Sequence, residues 1–459
     1  MQLISIPAAA RAAATLAIAA LAGCSLDLQN PNAPTETQVT TSPDGVIALA
    51  TGLQGRFAAS YFNYAYMAGL VTDEFASTSA ALISISDAEQ GAVPQGTAIA
   101  DNVFNSVYRT VRTADDLLNG TTALGAQFDA GTKSGLQVLA YTLKADALGE
   151  ALQSYQKTPI KILGEAAPVY VARAQALPYV RALLDSAATI LTASPPSAFF
   201  NANILTPGVS LSNVLSLFRA RYARMAGDDA GAVAAANLVA RSGTAAMSNL
   251  TFPAPGVNPY ANVTGGTNGI AVRRQWRLAM TADDRRFQYF VSPSTTLVGR
   301  VGAALDPWNR YAVPQAPFPV YFPDEALLIK AEALANQNQL AAAQAVLDSV
   351  RTDCTGGRGL DDPKACLSPL AAPLTQGQLL AEIYLQRRFE LLGSGLRWED
   401  SRRRSAIRGP VAAPGVPTDG QRCWLPYALG DRNANPNATL AALPDPAEPA
   451  SFPASCPLQ

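Results

Sequence analysis

Residues 323–351, PDEALLIKAEALANQNQLAAAQAVLDSVR, are the stretch that decides the fold. Apolar residues recur every three or four positions in each half, which is the periodicity of an amphipathic helix. The polar run over residues 336–339 separates the halves and indicates a turn. Alanines at the expected crossing positions allow close approach of the helices, as in tetratricopeptide-type hairpins. The stretch therefore predicts a helix pair.

Helical periodicity also continues upstream of this pair. The upstream pairs fall at about 132–242 and are not evenly spaced, which argues against a regular solenoid. Residues 251–322 are rich in Gly, Pro, Asn and aromatic side chains and predict a large irregular, loop-rich insertion, a kind of segment that is usually functional. The class expected is mainly α. The helices are predicted over residues 44–66, 101–119, 132–153 with 169–192, 211–226 with 229–242, and 323–351.

Composition excludes several classes of function. The chain has 459 residues, 49% of them hydrophobic, so it can bury a large core. A net charge of −1 offers no electrostatic attraction for nucleic acid. There is no histidine, which removes histidine-based triads and histidine metal sites. Enzymes built on carboxylate pairs alone remain possible. The absence of histidine and of a recognised catalytic motif weighs against them, so we expect a protein that is not an enzyme, with no cofactor and no metal.

The N-terminus carries a targeting signal. The apolar run over residues 12–22 is shorter than the roughly 20 residues of a membrane-spanning helix and ends in small residues before Cys24. This arrangement is typical of an export signal and resembles a bacterial lipoprotein signal, with Cys24 acylated; an ordinary secretory signal is the alternative. We expect residues 1–23 to be removed and residues 24–43 to form a tether to the membrane.

Four cysteines follow Cys24, and an even number in an exported protein predicts disulfides. Proximity in the sequence favours Cys354 with Cys366 and Cys423 with Cys456, although four cysteines allow three pairings. A zinc site is the competing interpretation, and the spacings lack the paired Cys-x-x-Cys pattern that would favour it.

Residues 383–403, IYLQRRFELLGSGLRWEDSRR, follow the helix pair and resemble the signature of the SusD/RagB family. In that family a helix with an Arg-x-x-Glu-Leu core runs into Gly-x-Arg-x-x-Asp and further arginines. Upstream segments resemble the family in the same order. These segments are LDLQNP at 26–31, VFNSVYRTVRTAD at 103–115, KADALG at 144–149, FRARY at 218–222 and LLIKAEA at 327–333.

The resemblance implies a SusD-like nutrient-binding domain over residues 44–459. It implies a lipoprotein of the outer membrane, lipid-anchored and exposed at the surface, that captures an oligosaccharide or peptide. Its partner would be a SusC-like TonB-dependent barrel, over which the domain closes as a lid.

The charged signature residues are interpreted as architecture. Thr375 and Gln378 match a capping box for their helix. Arg387 and Glu390 lie three positions apart, where they can pair with each other or with neighbouring helices. Arg397 can hold Asp400 or the returning chain through its planar guanidinium. The arginines at 402–404 are interpreted as a solvated or ion-paired face. A sharper alternative makes Glu390 and Glu399 an acid/base pair for glycoside cleavage.

Ligand contacts are expected among aromatic and polar side chains in loops. Trp308, Asn309, Arg310 and Tyr311 are the first choice, because they combine stacking and hydrogen-bonding groups in four consecutive residues. Buried anchors beneath the insertion are the alternative role for any one of them. The other candidates are Trp276 in the insertion and Asp73, Glu74, Tyr61, Tyr64 and Tyr66 near the first helix.

Two other classes of function remain open from the sequence. One is a carboxylate-based glycoside hydrolase, which product formation from polysaccharides would reveal. The other is a helical scaffold that binds a partner protein of the envelope, which stable co-purification with a protein other than a barrel would favour.

Overall fold

The described part of the chain is mainly helical, as predicted, with a few short strands. The computed structural model describes residues 39–72, 74–93, 95–241, 249–252, 256–311, 313–354, 362–403 and 422–445. Among these residues, no helix combines the length and the apolar character needed to cross a membrane.

Each helix predicted from periodicity is present, with ends shifted by a few residues, and several short helices lie between them that were not predicted. In chain order they are α1 (Pro43–Leu70), α2 (Ile83–Glu89), α3 (Ala98–Ala123), α4 (Ala130–Ser154), α5 (Arg173–Ala193), α6 (Ala198–Asn203), α7 (Leu211–Met225), α8 (Asp229–Ala236), α9 (Arg274–Leu278), α10 (Phe287–Phe290), α11 (Pro323–Asn336), α12 (Leu340–Arg351), α13 (Gln376–Glu390), α14 (Leu396–Arg403) and α15 (Leu429–Ala434).

The helix α4 forms the centre of the larger core. Almost every residue from Leu136 to Ser154 is buried, because α1, α3, α5 and α7 all pack around it. Its first turn is fixed by Asp129, whose side chain accepts from the backbone N–H of Thr132 at 2.9 Å. In the same way Ser42 caps α1, with Pro43 in the first turn.

The predicted pair over residues 323–351 consists of α11 and α12. Asn338 adopts a φ of 60° in the connecting turn, a conformation that asparagine tolerates better than most residues. Ala331, Ala335 and Ala343 are buried in a separate, smaller core that α13 completes. Close packing of small residues therefore holds this pair together, but in the second helix the buried alanine is Ala343, whereas the predicted Ala342 and Ala345 are exposed. The earlier helix α8 ends at Ala236, short of the predicted residue 242.

The insertion is less irregular than predicted, because it supplies most of a small antiparallel sheet. Strands β5 (Ile270–Arg273) and β6 (Leu305–Asp306) join β1 (Phe75–Ser77), which follows α1. Phe75 pairs with Val272, and Val272 pairs with Asp306. Such short strands give too little alternation to be recognised from the sequence. Two further two-stranded sheets are β2 (Lys157–Pro159) with β3 (Tyr170–Ala172) and β4 (Asn249–Leu250) with β7 (Phe318–Pro319).

The predicted division of the chain falls partly outside the described residues. The residues outside the described ranges include the signal at 1–23, Cys24 and most of the tether at 24–43. The candidate Asp73 is also outside them. These assignments therefore stay predictions.

Candidate functional site

The signature segment over residues 383–403 is built as a buried scaffold. Thr375 and Gln378 form the predicted capping box at the start of α13. Gly393 and Gly395 have φ of 75° and 80° and turn the chain from α13 into α14. Across this turn Arg387 Nε donates to Asp400 Oδ2 at 2.6 Å. The turn therefore brings two buried charges of the signature together.

Glu390 and Arg397 also make contacts outside the Arg387–Asp400 pair. Glu390 pairs with Arg286 of the insertion, with Nη1 and Oε2 3.4 Å apart. Arg387 and Arg403 both pair with Asp400, and the Arg397 guanidinium lies 4.8 Å from the ring centre of Tyr384.

The arginines that follow are ion-paired and buried. Arg402 donates to the backbone oxygens of Cys423 and Gln153 at 2.6 and 2.5 Å. Arg403 pairs with Asp400 at 2.6 Å and with Glu332. Of the two interpretations of residues 402–404, the ion-paired one therefore fits 402 and 403, while 404 lies outside the described residues.

The two carboxylates considered for glycoside cleavage are held in structural contacts. Arg173 binds Glu399 through two hydrogen bonds of 3.1 and 2.5 Å. Burial would raise the pKa of Glu399, but the charges of Arg173 and Arg402 outweigh it and hold the pKa below its usual range. Burial and the nearby charge of Asp324 raise the pKa of Glu390 well above its usual range. Glu399 borders a cavity of only about 10 Å³, which is too small for a sugar.

The aromatic residues of the predicted ligand loop face inward. Trp308 and Tyr311 are 5% and 1% exposed, and both pack against Tyr260, with ring centres 5.6 and 4.9 Å apart. Trp276 is fully buried and donates its indole N–H to the backbone oxygen of Arg388 at 2.9 Å. Their burial favours the alternative role of loop anchors, and ligand contact by these side chains stays an untested prediction.

The polar members of the predicted set have separate surroundings. Asn309 is exposed and donates to the Gln288 backbone oxygen at 3.2 Å. The Arg310 guanidinium lies 5.2 Å from the ring centre of Tyr289. Glu74 is buried, and its backbone oxygen accepts from Arg273 at 2.9 Å. The structure therefore does not present the predicted residues on one open surface.

A surface cleft lies instead between α1, α2, α3 and the loop at 259–268, and we refer to it as the α1–α2 cleft. Its volume is about 200 Å³. Ile85, Ile99 and Val263 are the buried apolar residues of its lining. The remaining lining residues are Phe62, Asn63, Tyr66, Leu82, Ser84, Ala98, Asn102 and Asn268.

The wall of the α1–α2 cleft combines aromatic and amide groups. Phe62 is half-buried, and its ring stands edge-on to Tyr260 at a centre distance of 5.0 Å. Tyr66 donates its hydroxyl to the Asn268 backbone oxygen at 3.1 Å, and burial raises the pKa of Tyr66, so it stays a neutral donor. Asn102 is exposed at the rim. An apolar lining with a few polar groups is the usual composition of a small-molecule site.

Sequence reasoning found this region only in part. Tyr66 was among the candidates, and it lies in the lining of the cleft. Phe62, Asn63 and Asn102 were missed, because they lie inside long helices whose periodicity gives no sign of what packs beside them.

Three carboxylates also come together near the α11–α12 pair. Oxygens of Asp324, Asp353 and Asp362 lie within 4.8 Å of one another. The Lys364 ammonium donates to Asp353 at 2.9 Å and to Asp362 at 2.5 Å. The lysine therefore pairs with two of the three carboxylates of the cluster.

The predicted disulfide between Cys354 and Cys366 is present, which confirms the first pairing. It closes a loop beside the carboxylate cluster. Cys423 is buried, but its predicted partner Cys456 lies outside the described residues. The second pairing therefore stays a prediction.

Comparison with known proteins agrees with the sequence signature. The model of the SusD family matches residues 313–421, a range that contains α11–α14. No curated protein matches the chain at a significant level.

Solved structures share the fold at low sequence identity. A SusD superfamily protein from Bacteroides fragilis is 17% identical, with a TM-score of 0.63 over 86% of this chain and 99% of that one. One from Parabacteroides distasonis is 14% identical, with a TM-score of 0.66 over 86% and 98%. Surface glycan-binding protein A from Bacteroides uniformis is 14% identical, with a TM-score of 0.63 over 84% and 98%. The predicted SusD/RagB relationship is therefore confirmed, by the family match over residues 313–421 and by the SusD superfamily fold over most of the chain.

Proposed function

We propose that this protein binds an oligosaccharide nutrient in the α1–α2 cleft and delivers it to a TonB-dependent barrel in the outer membrane. The observation that carries the proposal is the composition of the cleft, where the Phe62 ring lies beside the amides of Asn63 and Asn102. Aromatic surfaces accept the apolar faces of sugars, and amides both donate and accept hydrogen bonds with hydroxyls. The glycan-binding protein from B. uniformis with the same fold supports this choice of ligand.

The protein acts by binding, without catalysis. Glu399 and Asp400 are held by arginines deep in the scaffold, where they stabilise the turn between α13 and α14. Cys24, once acylated, anchors the protein to the outer leaflet, and the tether over residues 24–43 lets the domain move as a lid over its barrel partner.

A glycan array with the purified protein tests ligand binding. The paired substitution Asn63→Ala/Asn102→Ala should abolish or strongly weaken the signal, because it removes two polar groups of the cleft. Asn203→Ala is the matched control, since Asn203 is an exposed helical asparagine outside the cleft lining.

The same array separates the cleft from the predicted loop. Asn309→Ala should leave binding unchanged if the cleft is the site. If Asn309→Ala loses binding while Asn63→Ala/Asn102→Ala binds like the wild type, the ligand site is the loop at 308–311. A protein that binds no glycan on the array contradicts the proposal.

Purification of the full-length protein from membranes in mild detergent tests the partner. We expect a TonB-dependent barrel to co-purify with it. Stable recovery of a different envelope protein in its place would favour a scaffold.

A further inference from the structure

A second concave surface runs between α1 and α3, and we refer to it as the α1–α3 groove. Its volume is about 630 Å³. The lining combines arginines with one asparagine and two aromatic rings. The lining residues are Arg56, Phe104, Asn105, Tyr108, Arg109, Arg112, Thr113 and Asp116.

The groove carries an excess of positive charge. Three guanidinium groups line it against a single carboxylate. Arg112 is paired with that carboxylate, with Nε 3.0 Å from Asp116 Oδ1. Arg56 and Arg109 are exposed, and no carboxylate among the described residues forms an ion pair with either of them. Two positive charges are therefore available to an anion in the groove.

The groove continues the α1–α2 cleft. The two helices run in opposite directions, since Val46 of α1 lies beside Gly120 of α3, whereas Asn63 and Asn102 meet in the cleft. Arg56 lies between these ends of α1. Along α3, residues 102, 105 and 109 are spaced three and four apart and so share one face. At a rise of 1.5 Å per residue, residues 102 and 109 are about 10 Å apart along the helix, so the asparagine amides and the arginine are neighbours on this face.

Two aromatic residues form the floor of the groove. Phe104 and Tyr108 pack together with ring centres 4.4 Å apart and are 7% and 9% exposed, so only a small part of either residue reaches the surface. The Tyr108 hydroxyl donates to the Pro159 backbone oxygen at 3.0 Å, which turns it away from the groove. The floor is therefore apolar, and the charged and amide groups are on the rim.

We propose that the α1–α3 groove binds the anionic part, carboxylate or sulfate, of an oligosaccharide whose neutral part occupies the α1–α2 cleft. The inference rests on the proposed function and narrows its ligand to acidic glycans. A guanidinium binds a carboxylate or sulfate through two parallel hydrogen bonds, which a neutral hydroxyl cannot match. Arg56 and Arg109 select the charge, and Asn105 bonds to hydroxyls between them and the cleft.

The test compares anionic and neutral probes that share a backbone. Oligogalacturonate and its methyl ester share a backbone and differ in the carboxylate, which the ester carries as an uncharged methyl ester; dextran sulfate and dextran differ in sulfate. Titration calorimetry with the full-length protein should show tighter binding of the anionic member of at least one pair. That preference should weaken as salt is added, because both arginines are exposed to solvent.

Paired arginine variants locate the charge effect. Arg56→Gln/Arg109→Gln should weaken binding of the anionic probe by about tenfold or more, and leave the neutral probe unchanged. The control Arg241→Gln/Arg285→Gln makes the same change in net charge at exposed positions outside the groove lining. It should bind both probes like the wild type. All four positions are exposed, so unchanged melting temperatures show that both proteins are folded.

The outcomes distinguish this inference from the proposed function. Binding of neutral glycans on the array, with no gain for acidic ones or with both double variants alike, overturns the inference and leaves the function standing. A protein that binds neither class overturns both. Binding of phosphatidylglycerol vesicles that only Arg56→Gln/Arg109→Gln abolishes, without preference for acidic sugars, overturns the inference in favour of a membrane contact.

Discussion

At single positions, buried charges connect helices that are far apart in the sequence. Arg221 of α7 donates to Glu325 of α11 at 2.7 and 2.9 Å and to Asp146 of α4 at 3.1 Å. Tyr222 donates to the same aspartate at 2.7 Å. All of these side chains are buried. One arginine therefore compensates two carboxylates inside the protein.

Replacement of Arg221 by Met should destabilise the protein strongly. Two buried carboxylates would lose their counter-charge, so the expected loss is about 3–5 kcal/mol in the free energy of unfolding. Arg219 is the matched control on the same helix, because its pair with Asp185 is 34% and 62% exposed. Arg219→Met should cost about 1 kcal/mol or less. Urea denaturation measures both, and equal losses would contradict this account of Arg221.

Glu150 makes the stability depend on pH. Burial and the neighbouring charge of Asp146 raise the pKa of Glu150 well above its usual range, although Ser60 donates a hydrogen bond to it. The folded state therefore binds this proton more tightly than the unfolded state. The stabilisation is complete below the usual glutamate pKa and is lost as the pH rises towards the raised value.

The substitution Glu150→Gln should remove this dependence. As the pH rises from about 5 to about 8, the free energy of unfolding of Glu150→Gln should increase relative to that of the wild type by at least about 1.4 kcal/mol. Glu165→Gln, at an exposed position, is the control and should follow the wild type. A constant difference between Glu150→Gln and wild type across this pH range would refute the assignment.

At the scale of elements, close approach of helices depends on small residues. Gly149 of α4 lies against Tyr222 of α7, and a Cβ at this glycine would stand 1.7 Å from the tyrosine hydroxyl oxygen. That hydroxyl is fixed by its bond to Asp146 and cannot move without breaking it. Glycine at this position therefore sets the distance between α4 and α7.

Gly149→Ala should separate these helices and lower the free energy of unfolding by about 1–3 kcal/mol. Gly52, in the middle of α1, is the matched control, since a Cβ there meets nothing within 4 Å. Gly52→Ala should raise the free energy of unfolding by up to about 1 kcal/mol, because alanine favours the helix. Thermal unfolding followed by circular dichroism would show opposite shifts, and a shift in the same direction would count against the packing argument.

At the scale of the whole molecule, a closely packed helical body carries two adjoining concave surfaces. The body is organised around α4 and completed by the turn between α13 and α14, whose charges are buried. The α1–α2 cleft and the α1–α3 groove lie next to each other along α1 and α3 at the surface of this body. The arrangement suits a binding protein, since helices that pack in one core hold stacking and hydrogen-bonding groups in place at the surface.

The membrane anchor is tested on the whole protein. On the proposed assignment of Cys24 as the lipid-bearing residue, Cys24→Ser should release the protein from the membrane fraction, because the lipid is its anchor. Ser25→Ala is the control and should stay in the membrane fraction. Fractionation with detection by immunoblot measures this, and retention of Cys24→Ser in the membrane would exclude lipid at this residue as the anchor.

The sequence alone determined the helical class, the α11–α12 pair and the capping box at Thr375, and it favoured the Cys354–Cys366 disulfide among three possible pairings. These features depend on residues close together in the chain, where periodicity and spacing report directly on structure. The family relationship was also recognisable, because the signature at 383–403 is one continuous segment.

Only the tertiary structure decided which side chains face solvent and which charges pair. Trp308 and Tyr311 looked like ligand residues but pack against Tyr260, and Glu390 pairs with Arg286, about a hundred positions away. The cleft between Asn63 and Asn102 likewise joins separate helices. Burial and pairing over such separations depend on how the elements pack, and a local pattern of residues carries no information about which distant segment will cover it.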